Sequence, residues 1–118
     1  MSRELGRWGE AQVAAYLQQR GWRIAAAGWH CRFGELDLVE ENGEFLAFIE
    51  VKLRKNANFA QAREFVTANK QRKLRAAAEC YLIKYPTKLQ PRFDVAEVYA
   101  PQGADTQKPL IQLVENAF

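Results

Sequence analysis

The chain has 118 residues, 48% hydrophobic and 26% charged, with a net charge of +3, the ordinary balance of one compact soluble domain spanning 1–118. No apolar run is long enough to cross a bilayer and the N-terminus opens into a charged, patterned segment, so neither a membrane span nor a signal peptide is expected and a cytoplasmic location follows. Cys31 and Cys80 form no C-x-x-C pair and His30 is the single histidine, which argues against zinc and for reduced, structural thiols.

Residues 3–20 predict a first helix, with Ser2 as N-cap, Glu4 in the first turn and Gly21 just beyond the end. Glu10 intrudes on its inward stripe, because Val13, Ala14 and Leu17 follow it at three, four and seven residues. A glutamate is almost never buried without a partner. Two readings therefore stand: a structural pair with an arginine, or a further metal ligand reaching acids later in the chain. Gly9 beside it would allow close helix-to-sheet packing, whereas Trp8 reads as core. Residues 22–33 predict one strand, with a break at Gly28, running into Gly34. His30, packed between Trp29 and Cys31, reads as structural rather than catalytic.

The segment 35–52 predicts a β-hairpin around Asn42-Gly43, a dipeptide suited to a two-residue type I′ turn. That turn would set Glu41 opposite Glu44, Asp37 opposite Phe48 and Glu35 opposite Glu50. Alternation then gives one face to Glu35, Asp37, Val39, Leu46, Phe48, Glu50 and Lys52, and the other to Leu36, Leu38, Phe45, Ala47, Ile49 and Val51. Asp37 and Glu50 become diagonal neighbours, about 7–8 Å apart at the backbone, near enough to hold one divalent cation between them. Without a cation, carboxylates this close would keep a proton or push the strands apart. Lys52 shares their face and could orient a water or neutralise charge building on a phosphate. The alternative is a solvated strand face joined by ordinary salt bridges.

After Lys52 comes a polar connection to Ala60, then Gln61–Val66 as a helical turn, a segment able to order on substrate. Thr67 caps a long second helix ending at Pro86, with Leu74, Ala77, Ala78, Tyr81, Leu82 and Tyr85 as its apolar stripe. Lys70 stands one turn before Leu74 and is expected to point toward the acids. Two strands close the chain, 92–99 and 110–114, with Asp94 read as an edge or turn-side acid. The order is helix, three strands, helix, strand, strand, an α/β sandwich around a mixed sheet flanked by helices.

Charge is unevenly spread. Residues 35–50 hold six acids and no base, whereas 52–75 hold eight bases against one acid, Glu64. An acidic pocket bordered by cations suits a metal-dependent phosphodiesterase; a solvated helix face is the plainer reading.

The blocks Gly6-Arg7-Trp8-Gly9-Glu10-Ala11, Arg32-Phe33-Gly34-Glu35-Leu36-Asp37-Leu38-Val39, Phe48-Ile49-Glu50-Val51-Lys52-Leu53-Arg54 and the closing Glu115-Asn116-Ala117-Phe118 resemble the YraN family over essentially the whole chain. That family is similar to the restriction-endonuclease-like PD-(D/E)xK nucleases, especially archaeal Holliday junction resolvases. The resemblance implies a restriction-endonuclease-like αβββαβ core in which Glu10, Asp37, Glu50 and Lys52 match the helix-one acid, the motif aspartate and the E-x-K acid and lysine. Leu36 stands where the superfamily motif has proline.

The expected function is a Mg²⁺- or Mn²⁺-dependent endonuclease acting on DNA, branched DNA included. Asp37, Glu50 and Glu10, with the Val51 carbonyl, would ligate metal; Lys52 would position the attacking water; Arg54, Lys55, Lys70, Arg72, Lys73 and Arg75 would hold phosphates. Symmetric cutting of a branched substrate would call for a homodimer. The alternatives are a nucleic-acid-binding module of the same fold that does not cut, and an interaction protein whose acidic hairpin meets a basic partner.

Overall fold

Runs of alternating or continuous apolar residues between the two helices assemble one five-stranded sheet, in the order β1-β2-β3-β4-β5. The structure, a computed structural model, describes residues 3–55 and 66–118. Its elements are α1 (Arg3–Gln18), β1 (Arg23–Cys31), β2 (Gly34–Glu41), β3 (Phe45–Arg54), α2 (Ala68–Lys84), β4 (Gln90–Tyr99) and β5 (Leu110–Val114). Neighbouring strands are antiparallel except β3 and β4, which run parallel and are joined through α2, as a parallel pair requires. Ser2 and nearly all of the expected turn at 61–66 lie outside the described residues; Val66 is buried.

The sheet divides two hydrophobic clusters. Leu36, Val39, Leu46, Phe48 and Val95 pack with Leu74, Ala77, Ala78 and Tyr81 of α2, while Leu38, Ala47, Ile49, Val51, Ala96 and Val98 pack with Val13 and Leu17 of α1. Burying each large aliphatic side chain contributes about 1.5–3 kcal/mol before conformational entropy is counted. Gly9 sets how near α1 approaches: a Cβ there would stand 3.2 Å from Leu53 Cδ2. At the helix end, Gly21 takes φ +88, with Trp22 N bonded to Leu17 O at 3.0 Å and Gly21 N to Gln18 O at 3.1 Å. These paired bonds form a Schellman cap, so the helix stops before the glycine anticipated from the sequence.

The hairpin register differs from the expected one. Glu41 pairs with Leu46, Glu40 with Ala47, Val39 with Phe48 and Leu38 with Ile49. Asn42 is not a left-handed turn residue. Its Oδ1 accepts from Glu44 N and Phe45 N at 3.0 and 2.8 Å, and only Gly43, at φ +92, has positive φ, so the loop is longer than a type I′ turn and slides the strands by two positions. An even slip keeps every β3 residue on its expected face. In β2 the alternation breaks, because Leu36 joins the α2-side cluster and Leu38 the α1-side cluster.

Three smaller expectations also change. β1 continues through Gly28, which takes φ +62, and its register shift against β2 falls earlier, between Ile24 and Ala26. Tyr85 caps α2 and is 46% exposed, although its ring lies 4.9 Å from that of Tyr81. Asp94 is not an edge acid: β4 lies inside the sheet, and Asp94 is fully buried, held by Arg92 through bonds of 2.9 Å and accepting Asn116 N at 2.9 Å.

Candidate active site

Asp37 sits where β2 and β3 part. The regular pairing ends at Leu38 and Ile49, and the next free amide of β3, Val51 N, donates instead to Asp37 Oδ2 at 2.9 Å. A side chain thus replaces a ladder acceptor, and the break in alternation beside it leaves the Asp37 carboxyl in the gap between strands. There it meets Glu50. Burial pushes Glu50 up to about 8, helped by a hydrogen bond with Asp37 and by its charge, and opposed by Lys70 and Lys52. Glu50 is 7% exposed, its Oε2 has no hydrogen-bond partner among the described residues, and Lys70 Nζ lies 3.8 Å from that atom.

α1 supplies the opposite wall. Arg3, Arg7, Glu10, His30, Glu35 and Asp37 line an open cavity of about 700 Å³. Glu10 is half-buried and pushed up to about 7, first by burial, then by Asp37 and Glu35, with Arg7 acting against them. Both readings of Glu10 are therefore partly visible in its surroundings: it faces the acids and has an arginine one turn before it. Glu35 and His30 are cross-strand partners at the rim, with His30 Nδ1 3.3 Å from Gly28 O.

The predicted residues do not all converge. Asp37, Glu50, Lys52 and Lys70 gather at the strand parting, and Glu10 approaches it from α1. Among the described residues no group of three or more His, Cys, Asp or Glu closes around a single point. Of the expected phosphate contacts, Arg54 turns toward Glu97, Nε to Oε2 3.6 Å, with its side chain 16% exposed. Arg75 lies over Phe93 and Phe118, 4.9 and 5.6 Å from the ring centres. Lys55, Arg72 and Lys73 are exposed. Sequence reasoning passed over Arg3 and Arg7, whose signal was present: they precede Glu10 by seven and three residues, on the same helical face.

The chemistry of the donor set fits a hard divalent cation. Two adjacent carboxyls, one buried and raised in pKa by the other, are the oxygen ligands such an ion favours, and its charge would relieve their repulsion.

One helix, three antiparallel strands, a crossover helix and a parallel fourth strand, with acids at the parting of the second and third strands, define a restriction-endonuclease-like αβββαβ core. Residues 9–98 match the uncharacterised protein family UPF0102, and the chain belongs to that family, also known as the YraN family. Its relatives include UPF0102 proteins of Syntrophomonas wolfei, 40% identical over all of both chains, and of Symbiobacterium thermophilum, 40% identical over 100% of this chain and 98% of that one. A UPF0102 protein of Bifidobacterium longum is 36% identical over 98% of this chain and 94% of its own.

Proposed function

We propose that the protein is a Mg²⁺- or Mn²⁺-dependent endonuclease acting on DNA, with branched, Holliday-junction-like molecules among its substrates. The observation that carries this reading is the pair of neighbouring carboxyls, Asp37 and Glu50, at the strand parting, with Glu50 buried and its Oε2 unpartnered among the described residues. Asp37 and Glu50 would hold the ion, with Glu10 across the cavity and the Val51 carbonyl as a further oxygen. A bound cation would supply Lewis-acid polarisation of the phosphate and acidify the attacking water. Lys52, close enough to Glu50 to lower its pKa, would orient that water and balance charge on the phosphate. Arg3, Arg7 and Lys70 would guide the sugar-phosphate backbone past the acids. A homodimer would deliver the paired cuts that a two-fold junction needs.

Calorimetric titration of Mg²⁺ and Mn²⁺ into the wild type and the Asp37→Ala/Glu50→Ala variant tests the site. Binding present only in the wild type, followed by metal-dependent cleavage of junctions, flaps or single strands that Glu50→Ala abolishes, is the expected result. Cleavage unchanged in Glu50→Ala would sink the proposal.

A second reading, a DNA-binding module that does not cut, is favoured by the absence of a third close acid and by the internal bond from Val51 N to Asp37 among the described residues. It predicts salt-sensitive DNA binding indifferent to Mg²⁺ and to Asp37→Ala.

A further inference from the structure

The two cysteines, far apart in sequence, meet in the fold. Trp29 of β1 and Tyr81 of α2 touch edge to face with ring centres 5.3 Å apart, which fixes the outer end of β1 against the second half of α2. Cys31 follows Trp29 by two residues, on the same side of the strand, and Cys80 precedes Tyr81. The turn after Cys31 is seated on the same helix: a Cβ on Gly34, the cross-strand partner of Cys31, would lie 3.5 Å from Lys73 O. Lys73, Ala77 and Cys80 follow one another along one face of α2. The result is that the Cys31 and Cys80 thiols are neighbours, each acting on the ionisation of the other, and both are free and half-buried.

Their surroundings are unequal. The backbone of Phe33 and Gly34 in the turn, and the Arg32 guanidinium, favour the Cys31 thiolate. Desolvation works against ionisation there, but these groups, with the Cys80 thiol, outweigh it and hold Cys31 below the usual thiol range. Cys80 is pushed the other way, by desolvation, by Cys31 and by Glu79, against Arg32. Among the described residues, Arg32 and Glu79 are the charged groups that act on this pair.

We propose that Cys31 and Cys80 form a hydroperoxide-reactive dithiol, with Cys31 as the attacking sulfur and Cys80 as the resolving one. The Cys31 thiolate attacks one peroxide oxygen; an S–O bond forms as the O–O bond breaks, and the departing hydroxide takes a proton to become water. Sulfur loses two electrons and the peroxide gains them. Cys80 then attacks the sulfenic sulfur, the S–S bond forms, the S–O bond breaks, and the Cys80 proton leaves with that hydroxide as a second water. The disulfide would tie the β1–β2 turn to α2, the helix that carries Lys70 toward Glu50.

The test uses the full-length reduced protein and stoichiometric hydrogen peroxide, with thiols counted and intact mass measured. Both thiols should disappear together in the monomer with the loss of two hydrogens, about tenfold faster at neutral pH than in the same chain denatured in urea. Cys80→Ser should instead accumulate a sulfenic acid at Cys31 that dimedone traps, and Cys31→Ser should react at the denatured rate. Wild-type protein that reacts no faster than the denatured chain, or that forms disulfides only between chains, would overturn the proposal without any reliance on the variants.

Discussion

At the scale of single residues, the buried acids are the least ordinary part of the molecule. Glu40 is fully buried, both its oxygens lack hydrogen-bond partners among the described residues, and desolvation pushes it up to about 7. Because the folded pKa lies above the ordinary 4.5, the folded state binds the proton more tightly than the unfolded state does. Stability therefore falls as pH rises from 4.5 toward 7, and the full cost is present above 7. Glu40→Gln should match the wild type near pH 4 and exceed it by about 3 kcal/mol near pH 8 in urea unfolding. A difference that does not change with pH would rule out this account. Glu50 is raised first by burial as well, and Asp37 adds to it. Glu50→Gln should likewise stabilise the metal-free fold at alkaline pH while removing metal binding, which separates the energetic burden of a site from its use. Asp94 behaves oppositely. It holds Arg92 and the Asn116 amide, so Asp94→Ala leaves a buried guanidinium with only the longer contact to Glu115 and should cost about 3 kcal/mol in urea unfolding.

At the scale of elements, local chemistry was legible where one residue decides an outcome. Thr67 Oγ1 accepts Lys70 N at 3.1 Å, the cap that its side chain and position announce. Thr67→Ala should lower stability by about 1 kcal/mol and Thr67→Ser by much less, read from thermal unfolding. Equal losses would show that packing around Val66, not the cap, fixes the helix start. The order of elements and the positions of Asp37, Glu50 and Lys52 on neighbouring strands were legible for the same reason: periodicity and turn residues are local. The hairpin register was not. Asn42-Gly43 carries the composition of a two-residue turn, but the Asn42 side chain spends itself on two amides and lengthens the loop. Nor could alternation reveal the break between Leu36 and Leu38, which depends on Asp37 capturing an amide of another strand. Asp94 was misplaced because an isolated polar residue in a strand looks like an edge until Arg92, two residues earlier on the same face, is seen to close over it.

At the scale of the whole molecule, cations flank the acids from opposite sides of the sheet. Arg3 and Arg7 lie on α1 and Lys70 on α2, with Asp37 and Glu50 between them. A DNA backbone held by both helices would cross the strand parting, so affinity and position of cutting should come from different residues. Each lost phosphate contact reduces the slope of log affinity against log salt by about 0.9. Arg3→Ala/Arg7→Ala should therefore flatten that slope by about 2 in fluorescence-anisotropy titrations while leaving Mg²⁺ binding intact. Arg75 provides the internal contrast, because its guanidinium covers Phe93 and Phe118. Arg75→Ala should lower the unfolding midpoint through lost cation–aromatic contact yet leave the salt slope unchanged. If Arg75→Ala flattens the slope and the α1 double variant does not, the nucleic acid approaches over α2 alone and the α1 cavity is not part of its path. Equal slopes in all three proteins would place the phosphate contacts elsewhere on the surface, leaving the acids without the electrostatic approach that this arrangement of helices would give them.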